Sequence, residues 1–78
     1  MITAKEVLEN AKPEYKFIAM DEDGTWNLFC SRPIKFINEY GSYWIDDDPR
    51  PKCCVDMLNI EMVENWEYSR RGRDEYLA

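Results

Sequence analysis

The chain has 78 residues, 45% of them hydrophobic and 14% aromatic, and its 16 acidic against 10 basic side chains leave a formal charge of -6. That length allows one small domain with a thin core, in which three Trp, five Tyr and three Phe supply much contact area per residue. From Phe36 to Ser69 only Arg50 and Lys52 stand against Glu39, Asp46, Asp47, Asp48, Asp56, Glu61, Glu64 and Glu67, which disfavours direct binding to a phosphate backbone, and the chain has no His to titrate near neutrality.

Thr3-Ala4-Lys5-Glu6 matches a capping box, so a helix is predicted to start there. Ala4, Val7, Leu8 and Ala11 recur at helical spacing, and Pro13 ends the element no later than Lys12. Two or three turns do not persist alone, so this helix must dock on a sheet. Tyr15–Met20 and Thr25–Cys30 are β-favouring runs joined by Asp21-Glu22-Asp23-Gly24, and they predict a hairpin whose Asp21 accepts backbone amides and whose Gly24 takes positive φ. Tyr15–Met20 carries apolar residues on both faces.

Ser31–Tyr40 reads as an irregular connection, with Pro33 holding Arg32 extended and Phe36 and Ile37 plugging a core edge. Gly41 permits a turn into a third strand, Ser42–Ile45, which Asp46-Asp47-Asp48-Pro49 ends. Asp56 caps a second helix over Met57–Tyr68, with Leu58, Met62, Val63 and Trp66 near one face. The rival pattern is a terminal strand, because Leu58, Ile60 and Met62 also alternate. The predicted fold is therefore one α+β domain over residues 1–78: a short N-terminal helix, a three-stranded antiparallel sheet and a C-terminal helix. Arg70, Arg71 and Arg73 fall in a solvated end that frays over about residues 70–78.

No constellation carries a named chemistry. Asp21, Glu22 and Asp23 lack the twelve-residue spacing of a calcium loop, since Gly24 comes too early and Arg32 occupies the closing position. Cys53-Cys54 with Cys30 lacks the spacing of a zinc site, and the three read as small buried side chains in a reduced protein. Trp26, Tyr43 and Trp44 read as core aromatics before they read as a base-stacking platform. Ser31, Ser42 and Ser69 have no visible activating partner. The expectation is a chain without catalytic residues, cofactor or metal. With no secretory leader and no apolar run of about 20 residues, the expected location is the cytoplasm.

The run Tyr15–Gly24, followed by Trp26-Asn27-Leu28-Phe29 and Arg32-Pro33, resembles the opening of small bacteriophage accessory proteins, and Tyr43-Trp44 and Trp66-Glu67-Tyr68-Ser69 are similar to their aromatic continuation. The resemblance implies a phage-encoded protein in the cytoplasm of a bacterial host. Joined to the acidic half, it suggests a non-enzymatic protein-binding module that inhibits or regulates a host defence or nucleic-acid-binding protein by occupying a basic groove. The expected contact residues are Tyr40, Tyr43 and Trp44 as anchors, with Asp46, Asp47, Asp48, Glu61 and Glu64 as the charged component. Two alternatives are an assembly accessory that forms homo-oligomers through a sheet edge or aromatic face, and a small carboxylate- or metal-dependent enzyme.

Overall fold

The Thr3 hydroxyl accepts the Glu6 N–H at 3.1 Å and starts helix α1, Ala4–Asn10, as the capping box requires. Ala4 and Leu8 are buried, and Val7 and Ala11 pack beside them. The structure, a computed structural model, describes residues 1–73. At the far end of the helix Arg73 reaches back across most of the chain. Its Nη2 donates to the carbonyls of Ala11 and Lys12 at 3.1 and 3.0 Å, and its Nε to that of Tyr15 at 2.6 Å. These contacts satisfy carbonyls that a short helix and its exit would otherwise leave to water.

Strands β1, Phe17–Met20, and β2, Trp26–Phe29, form the expected hairpin, pairing Phe17 with Phe29 and Met20 with Trp26. Its turn is held by Asp21 N–H to Thr25 O and Gly24 N–H to Asp21 O, both 2.9 Å, with Gly24 at φ +91°. Two short strands complete an antiparallel sheet of order β5-β2-β1-β6: β5, Cys53–Cys54, and β6, Arg71–Gly72. The doubly apolar pattern of the first run has its reason here, because both faces of this sheet are covered. Ile18, Met20, Trp26 and Leu28 meet α1 and Ile60 on one side, while Ala19 and Phe29 meet Trp44 on the other.

The third predicted strand does form, but outside that sheet. Among the described residues β3, Ile34–Asn38, and β4, Gly41–Ile45, pair only with each other, turning at Glu39-Tyr40. The stretch expected to be a connection is thus a strand, and Phe36 and Ile37 are exposed instead of plugging the core. β4 is fastened across the Ala19–Phe29 face by Trp44, whose ring N–H donates to Met20 O at 3.0 Å and whose ring meets Trp66 edge-on at 6.0 Å.

The predicted C-terminal helix is absent. Leu58 and Met62, two of its supposed core residues, are exposed, and within Met57–Tyr68 the only helical geometry is a 3-10 turn at Trp66–Tyr68. A long-range contact overrides the periodicity: Ile2 N–H donates to Asn59 O at 2.9 Å and Glu61 N–H to Ile2 O at 2.8 Å, so the segment runs extended past Ile60. The alternating pattern therefore survives as a single parallel bridge, with Ile60 buried. Among the described residues one α-helix and two sheets, of four and two strands, replace the predicted two helices and three-stranded sheet.

The end of the described chain is tied down. Ser69 is fully buried, and its Oγ accepts the Met20 N–H at 2.8 Å while the carbonyls of Trp66 and Met20 lie 2.6 and 3.0 Å away to take its proton. The hydroxyl extends the β1 edge beyond the pairs that β6 makes. Arg70 donates to Pro33 O at 3.2 Å, so the arginine cluster serves the fold instead of lying in a solvated end. The remainder of the predicted frayed tail, residues 74–78, lies outside the described residues.

Candidate protein-interaction surface

Two turns approach each other at one end of the molecule. Asp21 leads the β1–β2 turn and is 8% exposed. Its Oδ1 accepts the Trp44 N–H at 2.9 Å, its Oδ2 accepts the Asn27 side-chain amide at 3.3 Å, and next to it Glu22 N–H donates to Ser42 O at 3.3 Å. The turn is thereby docked along the outer edge of β4. Burial pushes the Asp21 carboxyl above its ordinary value, against the lowering effects of the Trp44 N–H and the Lys52 charge.

Between the turns lies an open concavity of about 600 Å³, walled on one side by Asp21, Glu22 and Asp23 and on the other by Asn38 and Tyr40 through Tyr43. No cation lines it. Glu22 and Asp23 are exposed, and Tyr40 stands 92% exposed at the tip of the second hairpin. Beside it the outward face of β3–β4 is apolar, with Ile34 opposite Ile45 and Phe36 opposite Tyr43, the latter rings 5.3 Å apart. Ile34 and Phe36 are exposed, as is Ile37 on the other face of the strand. Lys52 sits 5.7 Å from the Tyr43 ring centroid and 5.9 Å from that of Phe29, bracing the hairpin on the sheet.

The eight residues expected to form the surface are divided by the fold. Tyr40 and Tyr43 line the concavity. Trp44 is a core residue, 2% exposed. Glu61 is turned inward, its carboxylate accepting the Ala4 N–H at 2.7 Å and its carbonyl the Trp26 ring N–H at 2.8 Å. Asp46 accepts the Ser31 hydroxyl at 3.3 Å, and Asp48 takes the N–H, Nε and Nη2 of Arg50, each at 2.9 Å, which holds its carboxyl well below the usual range. Asp47 and Glu64 are exposed. The acidic triplet is thus partly spent on local bonds, as is the Asp21–Asp23 turn, where Asp21 bonds Trp44 and Asn27 and Asp23 Oδ1 accepts the Thr25 N–H at 2.9 Å; this turn, read from sequence as punctuation, is the one that lines a concavity with the tyrosines. The signal for it was the pair of turn sequences, Asp21–Gly24 and Asn38–Gly41, whose proximity no local pattern encodes.

Cys30 is buried and desolvation pushes its thiol up, whereas Cys53 and Cys54 are exposed on outer strand β5 instead of buried as expected. Among the described residues no group of three or more His, Cys, Asp or Glu is arranged to hold a metal ion, and no helix is long and apolar enough to cross a membrane. Comparison with protein families, characterised proteins and solved structures finds no match to this chain.

Proposed function

We propose that the chain is a non-enzymatic protein-binding module whose acidic concavity receives a basic surface of a partner, acting in the bacterial cytoplasm as a phage-encoded inhibitor or regulator of a host defence or nucleic-acid-binding protein. The observation that carries the reading is the cation-free wall of Asp21, Glu22 and Asp23 set against Tyr40 and Tyr43. Exposed Glu22 and Asp23 steer a cationic partner, and the two rings offer apolar area and π faces to an arginine or lysine side chain. The neighbouring Ile34 and Phe36 extend the contact with apolar area that is otherwise left in water. A partner docked here has its basic groove filled, which excludes nucleic acid by competition for the same cations.

The test is retention of bacterial proteins on the immobilised chain. Basic nucleic-acid-binding proteins should be held, released by duplex DNA, and weakened about tenfold or more when salt is raised well above physiological strength. Tyr40→Ala and the pair Glu22→Gln with Asp23→Asn should each lower retention while leaving the fold intact. Retention that is indifferent to salt, to DNA and to all three substitutions would overturn the reading.

A further inference from the structure

The outer edge of β3 is a second surface, on the opposite side of the ribbon from the concavity. The backbone of β4 shows which way its polar groups point: Trp44 N–H is directed outward to Asp21, and Ser42 O outward to Glu22. Antiparallel ladders alternate, so the pairs Lys35–Trp44 and Ile37–Ser42 are those whose amides and carbonyls face away from the hairpin. On β3 the outward groups are therefore the N–H and C=O of Lys35 and Ile37. Among the described residues none of them meets a partner. The usual protections of a bare edge are sparse here: no proline or bulge interrupts β3, its one lysine is drawn aside to Glu67 at 3.3 Å, and Ile34 and Ile37 are about 60% exposed.

We propose that β3 pairs antiparallel with β3 of a second copy of this chain, with Phe36 facing Phe36 across a two-fold axis. The register follows from the chain's own chemistry. In it Lys35 lies opposite Ile37 of the second copy, so each outward amide meets an outward carbonyl and the reverse. Shifting one way sets Ile37 opposite Pro33, which has no N–H to give; shifting the other sets Lys35 opposite Glu39, beyond the end of β3. In this register Lys35 keeps its pairing with Glu67 of its own copy, and the two-fold axis makes every cross-strand contact twice.

On the other face Tyr43 and Phe36 of one copy become continuous with Phe36 and Tyr43 of the next. From β4 to its symmetry mate the joined sheet spans about 14 Å and twists by roughly 60–75°, which turns the two cores away from each other. The dimer leaves the β4 edge untouched and so presents two acidic concavities. A five-residue strand makes a small interface, so the dissociation constant belongs in the range of about 10 µM to 1 mM.

Sedimentation equilibrium across that range should show the mass rising from one chain toward two. Because each copy carries -6 and the joining strands are mainly apolar, raising salt should tighten the dimer several-fold, opposite in sign to the effect on a basic partner. Ile37→Pro removes an outward N–H that the hairpin does not use, and should stay monomeric with an unchanged circular dichroism spectrum. If that variant misfolds, hydrogen exchange on the unaltered chain decides: the Lys35 and Ile37 amides should slow as concentration rises, while those of Ile34 and Phe36, already bonded to β4, should not. A single-chain mass at every concentration, or concentration-dependent protection elsewhere than β3, overturns the dimer. Neither result bears on retention of a basic partner, which is read at the other edge.

Discussion

The carboxylate of Asp21 accepts the backbone N–H of Trp44 at 2.9 Å and so fastens the turn of one hairpin to a strand of the other. One link between the two sheets is therefore an ionisable group, 8% exposed, whose pKa burial raises.

The sign of its pH dependence follows. A carboxyl whose folded value lies above its unfolded value binds a proton more readily in the native state, so this group's contribution to stability grows as pH falls from neutral through the raised folded value, and levels off below the ordinary aspartate value. Asp21→Asn should abolish that component and hold or gain stability at pH 7, since an amide oxygen still accepts from Trp44 and Asn27 can turn its own oxygen to the new NH₂. Asp21→Ala leaves the Trp44 N–H unpaired and should cost about 1–3 kcal/mol. Urea unfolding of the three proteins at pH 7 and pH 5 measures both effects. Asp48 runs the opposite way: its lowered value makes its bonds to Arg50 stabilising above the ordinary aspartate value, and they are lost only in stronger acid.

Ser69→Ala should destabilise the chain by about 1–3 kcal/mol, because the Met20 N–H loses its acceptor in a site closed to solvent. Amide exchange localises the effect: Met20 should lose protection before Ile18, which still faces Arg71 on β6.

Arg73→Ala should cost about 1–2 kcal/mol by releasing the carbonyls of Ala11, Lys12 and Tyr15 together. Arg73→Lys should recover only part, since an ammonium lacks the planar fork that spans the three. Thermal unfolding at fixed pH ranks the variants.

Gly24→Ala adds a Cβ at φ +91° and 2.7 Å from the Met62 terminal methyl. Met62 is exposed and flexible and can move, so the backbone conformation sets most of the loss, about 1–2 kcal/mol. The same substitution made beside Met62→Ala should remain destabilising. A double-mutant cycle that instead erased the loss would assign it to the methionine.

What the sequence revealed of the fold was what neighbours in the chain decide. The Thr3 cap and the β1–β2 hairpin with Asp21 and Gly24 in its turn are local, and both are present. The β3–β4 pairing was hidden because Ile34–Asn38 lacks the alternation of a half-buried strand; all five residues are exposed. The helix expected over Met57–Tyr68 was lost to Ile2, a partner that no window around Ile60 contains. The placement of the carboxylates is equally non-local: Ser31 and Arg50 bond two of the Asp46–Asp48 triplet, and the turn at Asp21–Asp23, far away in sequence, is the one that lines a concavity with Tyr40.

Ser69 and Arg73 also set an order of events in synthesis. The Met20 amide and the carbonyls past α1 find their partners only in the last five described positions, so a nascent chain halted before Ser69 has its first helix and hairpin translated but not closed. Such a chain should remain open to proteolysis until those residues clear the ribosome, and then shut in one cooperative step.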